Sequence, residues 1–177
     1  MERRIAIYLT NLGKYNEGCL MGEWVKLPVD KDKLQEVLDR IGINQQYEEY
    51  FISDYETLFA NLHISEYASI NDLNELAERI EGLADHDYDK LAAVLECESS
   101  TSIAEILELI DDLDSIELLE DVDSDEGLAE YYLDNGYIFC EVPDNIKYYL
   151  DLQRLGRDIR LESNLCFTSY GAVIDNR

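Results

Sequence analysis

Basic residues are scarce in this sequence and absent from one long part of it. The 177 residues include 14 Lys and Arg but 40 Asp and Glu, which gives a net charge of −26. Between residues 91 and 146 there are seventeen carboxylates and no Lys or Arg. Nucleic-acid phosphates and anionic lipids repel such a surface. We therefore expect neither a nucleic acid nor a membrane as partner, and we expect basic proteins instead.

Long apolar runs are also missing. No segment approaches the roughly 20 apolar residues of a membrane span. The opening, MERRIAIYLTNLG, has neither a long apolar stretch nor a cleavage site, so it predicts no signal peptide and a cytoplasmic protein. The cysteines are few and isolated, without a C-x-x-C pair. This pattern predicts reduced thiols rather than disulfides or metal ligands at Cys19, Cys97, Cys140 and Cys166.

The sequence contains little that indicates catalysis or a metal centre. Its two imidazoles, His63 and His86, do not stand in a metal-ligand spacing. No phosphate-binding loop, nucleophile elbow or dinucleotide fingerprint occurs. Residues 121–125 begin like a calcium-binding EF-hand loop, but Glu126 stands where Gly is required and Tyr132 where a bidentate Glu is required. The sequence therefore predicts no enzyme, no cofactor and no metal site.

The negative charge is concentrated in the middle of the chain. Residues 1–40 are neutral overall, residues 41–146 carry a net charge of −27, and residues 147–177 carry +1. Duplex DNA has one charge per ~1.7 Å of axis, so −27 corresponds to ~46 Å of duplex. A compact chain of this length has a diameter of about 40 Å. The protein thus carries about as much charge as a DNA segment of its own size, which makes DNA mimicry physically possible.

The most acidic segment still has the pattern of a folded protein. Residues 105–134 hold thirteen carboxylates, but apolar residues recur among them at spacings that keep one apolar face. A solvated acidic tail lacks such a face. We expect this segment to fold and to display its charge.

Periodicity predicts an α+β fold that begins with a small antiparallel unit. Strands are expected over residues 5–9, 19–27 and 50–55. A loop is expected over residues 14–18, and a helix capped by Asp30 is expected to run to Arg40. This first unit is therefore β-β-α-β.

Three helices are expected next. They are predicted to begin at Ser69 or Asn71, at Asp85, and at Thr101 or Ser102, and to end near residues 81, 97 and 112. The short polar spacers between them favour a helical bundle.

The remainder of the chain returns to a mixed pattern. The expected elements are a strand over residues 115–122, a helix capped by Ser124 or Asp125 and ending near residue 135, a strand over 137–142, a helix over 145–155, and one or two strands over 165–174. The composition changes near residues 61 and 103. We therefore predict three small domains: residues 1–61 (antiparallel sheet with one helix), 62–103 (helical bundle) and 104–177 (mixed α+β).

Two further groups of side chains suggest contacts. The tyrosine pairs at 131–132 and 148–149 can bury a ring and leave the hydroxyl in water, which suits an interface. Ordinary half-buried packing is the alternative. A small basic cluster in this acidic chain is expected to anchor neighbouring carboxylates within the molecule, with a subunit contact as the alternative: Arg154, Arg157 and Arg160.

Several blocks of the sequence resemble ArdA-type antirestriction proteins. They are IYLTNLGKYNEG at 7–18, GEW at 22–24, YEEY at 47–50, DYE at 54–56, LAEYY at 128–132 and GRD at 156–158. The blocks occur in the order found in that family and are spread over nearly the whole chain. Together they are specific.

The resemblance implies a cytoplasmic, homodimeric DNA mimic carried by a conjugative or other mobile genetic element. Such proteins occupy the DNA-binding groove of type I restriction–modification enzymes and inhibit them competitively, without catalysis. The resemblance also implies three domains in an elongated, curved row. It places the antirestriction segment near residues 115–136 and a dimer contact in the third domain, for which Leu128, Tyr131 and Tyr132 are candidates.

On this hypothesis, the partner-binding groups are carboxylates that stand in for DNA phosphates. The candidates are Glu48, Glu49, Asp54, Glu56, Glu66, Asp72, Glu75, Glu105, Glu108, Asp111, Asp112, Asp114, Glu117, Glu120, Asp121, Asp123, Asp125, Glu126, Glu130 and Asp134.

Other functions stay open from the sequence. A general acidic module that binds basic or DNA-binding host proteins fits the charge equally well. A calcium-buffering acidic protein is a third hypothesis, and an uncharacterised hydrolase is a fourth.

Overall fold

The computed structural model describes residues 4–59, 61–98, 101–138, 142–147 and 149–177, and the fold is α+β, as predicted. The chain divides into two compact units. Unit 1 comprises Met1–Ala84 and Ser100–Ile110, and unit 2 comprises Asp85–Ser99 and Asp111–Arg177. The chain therefore passes from one unit to the other after residues 84, 99 and 110. The division into three domains in a row stays a prediction.

Unit 1 is built on an antiparallel sheet of three strands in the order β2-β1-β3. The strands are β1 (Ile5–Asn11), β2 (Gly22–Leu27) and β3 (Tyr50–Glu56). Alternate side chains of β1 point inward, because successive side chains of a strand face opposite sides of the sheet. The three predicted strands are thus confirmed, although β2 begins at residue 22 and not at residue 19.

The loop predicted over residues 14–18 is wrong, since a short helix, α1 (Leu12–Asn16), occupies most of it. Asn11 is fully buried and determines this helix. Its Oδ1 accepts a hydrogen bond from the backbone N–H of Lys14 at 3.0 Å, and its Nδ2 donates one to the carbonyl of Ile41 at 3.1 Å. The second bond connects residues that are 30 positions apart, so local sequence patterns do not reveal it.

The longer helices of unit 1 begin at the predicted caps. They are α2 (Lys31–Arg40), α3 (Ile70–Gly82) and α5 (Ile103–Asp111). The side chains of Asp30 and Ser69 accept hydrogen bonds from backbone N–H groups in the first turns of α2 and α3. At α5, the hydroxyl of Ser102 and the carboxylate of Glu105 bond each other's backbone N–H, which is a capping box.

Unit 2 combines helices with a second antiparallel sheet, whose strands run in the order β4-β6-β5. Its elements are α4 (Asp85–Cys97), β4 (Ile116–Leu119), α6 (Asp125–Asp134), α7 (Asp144–Lys147), α8 (Leu152–Glu162), β5 (Leu165–Thr168) and β6 (Gly171–Asp175). The core contains Leu119, Val122, Leu128, Ile159 and Ala172, so β4, α6, α8 and β6 all contribute to it.

Two predictions for unit 2 need correction. The single helix predicted over residues 145–155 is two helices, because the Asp151 side chain accepts from the N–H of Arg154 and starts α8, which continues to Glu162. The strand predicted over 137–142 is not found at Tyr137 and Ile138, and residues 139–141 lie outside the described residues. Tyr137 instead donates its backbone N–H to the carbonyl of Tyr132 and closes the end of α6.

The prediction of reduced thiols is wrong for two cysteines. Cys97, at the end of α4, forms a disulfide with Cys166 of β5, and their Cα atoms are 6.2 Å apart, within the normal range for disulfides. The two residues are 69 positions apart in sequence, and it is the packing of α4 on the sheet of unit 2 that brings them together. Cys19 has a free, exposed thiol, as predicted, and Cys140 lies outside the described residues. Within the described ranges, no helix has the length and apolar character of a membrane span.

Candidate acidic interaction surface

The predicted carboxylates are distributed over both units. With the exception of Asp125, all of them are exposed. Counted over the sequence of each unit, unit 1 carries ten net negative charges and unit 2 carries sixteen. The neutral stretch at residues 1–40 belongs to unit 1, so its charge comes from later residues.

Helix α6 shows how the acidic segment folds while displaying its charge. The apolar side of the helix is buried inside unit 2 and consists of Leu128, Ala129 and Leu133. Glu126, Glu130 and Asp134 follow at intervals of four residues, which places them on one side of the helix. Strand β4 has the same division, since Glu117 is exposed between the buried side chains of Ile116 and Leu118.

A groove in unit 2 brings the carboxylates of α6 together with one further carboxylate, that of Asp151. Its volume is about 610 Å³, and it is lined by Glu126, Glu130, Leu133, Asp134, Leu150, Asp151, Leu152 and Gln153. Leucines and carboxylates therefore share one concave surface. Such a surface suits an arginine or lysine, whose apolar stem and charged head require both kinds of contact.

Asp151 was not among the predicted site residues. Its sequence signal was its position as the cap of α8, but the single helix predicted over residues 145–155 placed Asp151 inside a helix. The packing of α8 against α6 brings Asp151 to the groove, although 17 residues separate it from Asp134.

Asp125 differs from the other predicted carboxylates because it is half-buried, and it forms an ion pair with Arg160. Arg160 Nε donates to Asp125 Oδ1 at 2.7 Å, and the Asp125 side chain is only 11% exposed. The hydrogen bond from Arg160 holds the pKa of Asp125 below its ordinary value of 3.8. The prediction that the arginine cluster anchors neighbouring carboxylates is confirmed for Arg160.

Two further predicted carboxylates also have neighbours within their own unit. Glu105 accepts from the backbone N–H of Ser102 at 2.7 Å, and this bond holds the pKa of Glu105 below 4.5. Glu120 Oε1 lies 3.6 Å from His86 Nδ1, at the start of α4. These carboxylates are exposed and contribute to the local structure at the same time.

The candidate dimer residues occupy different environments. Leu128 is fully buried in the core of unit 2, whereas Tyr131 and Tyr132 are half-buried at its edge. The rings of both tyrosines contact the ring of Tyr137, with centroids 6.0 and 5.3 Å apart. Tyr137 is 62% exposed and extends this aromatic cluster to the surface. It was not among the predicted contact residues.

The motif residues near the N-terminus form a structural network. Lys14 Nζ donates to Glu17 Oε2 at 2.9 Å and to the hydroxyl of Tyr47 at 2.8 Å, while that hydroxyl donates to Glu17 Oε1 at 2.8 Å. The hydrogen bonds to Tyr47 and Glu17 raise the pKa of Lys14. Two of the blocks that carry the family resemblance, 7–18 and 47–50, are therefore joined in space.

The described part of the chain contains no group of three or more His, Cys, Asp or Glu side chains that could hold a metal ion. No curated protein matches the chain. A family model described as Antirestriction protein (ArdA) matches residues 7–174, nearly the full length. Proteins of this family inhibit restriction and are not a known catalytic family. Membership of the family implies an interaction with restriction enzymes. The chain therefore belongs to the ArdA family of antirestriction proteins.

Proposed function

We propose that this antirestriction protein is an acidic DNA mimic. It occupies the DNA-binding groove of type I restriction–modification enzymes and inhibits them competitively, without catalysis, as a cytoplasmic homodimer. The observation that carries the proposal is the exposure of the predicted carboxylates other than Asp125, which lie on helices, strands and connecting turns of both units.

The amount of charge suits this role. A net charge of −26 equals that of ~44 Å of duplex, and a dimer with −52 equals ~88 Å. Carboxylates that take the places of phosphates engage the Lys and Arg side chains of the enzyme and release counterions. Binding should therefore weaken as the salt concentration rises.

The groove between α6 and α8 is proposed as one point of engagement. Three leucines line it together with four carboxylates, those of Glu126, Glu130, Asp134 and Asp151. An arginine that enters such a groove can pack its apolar stem against the leucines while its charged head engages the carboxylates. The remaining carboxylates supply long-range attraction.

Cleavage of unmodified plasmid by a purified type I restriction enzyme tests the proposal. We expect protection at about stoichiometric concentrations, weaker protection at moderate salt than at low salt, and reversal by added duplex. Complete cleavage in the presence of folded protein would contradict the proposal. A panel of other DNA-binding proteins in the same experiment tests the alternative, a general acidic module, which should bind them equally well.

A matched pair of variants tests the groove. The groove variant combines Glu126→Gln, Glu130→Gln, Asp134→Asn and Asp151→Asn, and Asn at position 151 can still cap α8. The control combines Glu78→Gln, Glu81→Gln, Asp158→Asn and Glu162→Gln, which neutralises four exposed helical carboxylates outside the predicted set. We expect the groove variant to lose more inhibition than the control. Equal inhibition by the two variants would remove the groove from the proposal and leave mimicry by total charge.

A further inference from the structure

The Cys97–Cys166 disulfide fixes the end of α4 to β5. We propose that this bond is a redox-reversible staple. Dithiol reductants open it, low-molecular-weight disulfides close it again, and unit 2 keeps its fold in both states. The proposal does not depend on which enzyme the protein inhibits.

The location of the bond supports reversibility. Cys97 is exposed, and Cys166 is half-buried. Both cysteines line an open cavity of about 220 Å³, together with Val94, Glu98, Asn164, Leu165, Val173 and Asp175. A small thiol can therefore reach the bond from solvent, whereas structural disulfides sealed in a core are shielded from attack.

Non-covalent contacts hold the same helix in place without the bond. The side chains of residues 91–95 are buried. One residue before Cys97, the carboxylate of Glu96 accepts hydrogen bonds from the backbone N–H and the hydroxyl of Ser169, at 2.7 and 2.5 Å. Because Ser169 lies in the turn between β5 and β6, α4 should remain docked on this hairpin when the disulfide is reduced.

The bond nevertheless closes a large covalent ring. It links residues separated by 69 positions, and this ring includes Ser100–Ile110, which belong to unit 1. Closing a ring of this size restricts the unfolded chain. Oxidation should therefore stabilise the native protein, and reduction should loosen the last turn of α4 first, since this turn loses its disulfide link to β5.

Reduction of the bond proceeds in two thiol–disulfide exchange steps. A thiolate of the dithiol attacks one sulfur of the pair, the Cys97–Cys166 bond breaks, and a mixed disulfide forms. The second thiol of the reductant then displaces the protein sulfur. Two electrons and two protons pass to the protein, which gains two thiols, and the reductant leaves as a cyclic disulfide. A low-molecular-weight disulfide drives the reverse reaction and is itself reduced to two thiols.

The test uses the full chain with Cys19→Ser and Cys140→Ser, so that Cys97 and Cys166 are the two cysteines that remain. Thiol alkylation and mass spectrometry should find no free thiol after treatment with glutathione disulfide and two after dithiothreitol, and renewed oxidation should restore the first state. The melting temperature should fall by roughly 5–10 °C on reduction. Two free thiols after oxidation, or a bond that native protein does not release to dithiothreitol, would overturn the proposal.

A second measurement distinguishes loosening from unfolding. Hydrogen exchange should quicken at the end of α4 and in β5 after reduction, while the amides of α6 and α8 stay protected. The variant with Cys97→Ser and Cys166→Ser in the same background should match the reduced protein with and without dithiothreitol. Loss of protection throughout unit 2 would show that the bond is a permanent structural requirement and would contradict the staple.

Discussion

Gly156 of α8 lies directly against the backbone of Asp125 at the start of α6. A Cβ atom at position 156 would collide with the carbonyl oxygen of Asp125. The two helices can therefore approach closely only because residue 156 is glycine. This contact positions Asp125 for its ion pair with Arg160 and holds α8 beside the carboxylates of α6.

Replacing this glycine should destabilise unit 2. We expect Gly156→Ala to lower the free energy of unfolding by about 1–3 kcal/mol or more, because the backbones must separate. Gly82→Ala is the control, since nothing lies within 4 Å of a Cβ at that helical position. It should be neutral or stabilising, given the higher helix propensity of alanine. Urea unfolding of both variants provides the comparison, and equal stabilities would argue against the close contact.

The Asp125–Arg160 ion pair predicts a dependence of stability on pH. The pKa of Asp125 is lower in the folded protein than its ordinary value of 3.8 because Arg160 donates to it. The pair therefore stabilises the fold above pH 3.8, and this contribution disappears as the pH falls through the still lower folded pKa.

Asp125→Asn should consequently destabilise the protein at pH 7 and have progressively less effect below pH 4. Urea unfolding across this range measures the difference from the wild type. Asp123→Asn, in the exposed turn just before α6, controls for the loss of one carboxylate. A pH-independent effect of Asp125→Asn would contradict the role of the ion pair.

The buried side chain of Asn11 should stabilise its part of unit 1 through two hydrogen bonds. Asn11→Ala removes the buried amide that caps α1 and leaves the carbonyl of Ile41 without this donor. The expected loss is about 1–3 kcal/mol in the free energy of unfolding. Asn71→Ala, an exposed asparagine in the first turn of α3, should change stability by less than ~0.5 kcal/mol. Thermal or urea unfolding of the two variants would show the contrast, and similar values would mean that Asn11 does not determine this region.

Distributed mimicry predicts that single carboxylates contribute little to inhibition. Exposed ion pairs contribute about 0–1 kcal/mol, so Glu117→Ala, Asp121→Ala or Glu130→Ala should each weaken inhibition by no more than about fivefold. Titration in the plasmid-cleavage assay measures this. If one of these variants abolished inhibition while its fold and oligomeric state were preserved, recognition would depend on a specific contact rather than on a distributed field.

Local signals were sufficient to predict much of the fold. The caps at Asp30, Ser69 and Ser124, followed by apolar residues at helical spacing, predicted the starts of α2, α3 and α6. A short β-branched and aromatic run at residues 5–9 predicted β1, and β3 was predicted over residues 50–55. In these segments, the interactions that determine the structure lie within a few residues of one another.

What the sequence did not reveal depends on contacts between distant residues. The cap of α1 relies on a bond from Asn11 to Ile41, and the disulfide joins residues whose spacing has no local signature. The acidic groove arises where α8 meets α6, so Asp151 joins the predicted carboxylates only through tertiary packing. The exposure of the acidic residues was predictable, but their arrangement in space was not.

The proposed mechanism requires the protein and DNA to compete for one binding groove. Its most direct test is equilibrium binding of a labelled duplex to a purified type I restriction enzyme, followed by fluorescence anisotropy while this protein is added at several salt concentrations. Competition predicts complete displacement of the duplex, with an apparent affinity whose logarithm falls linearly with the logarithm of the salt concentration. A ternary complex that retains the duplex, or an affinity unaffected by salt, would contradict it.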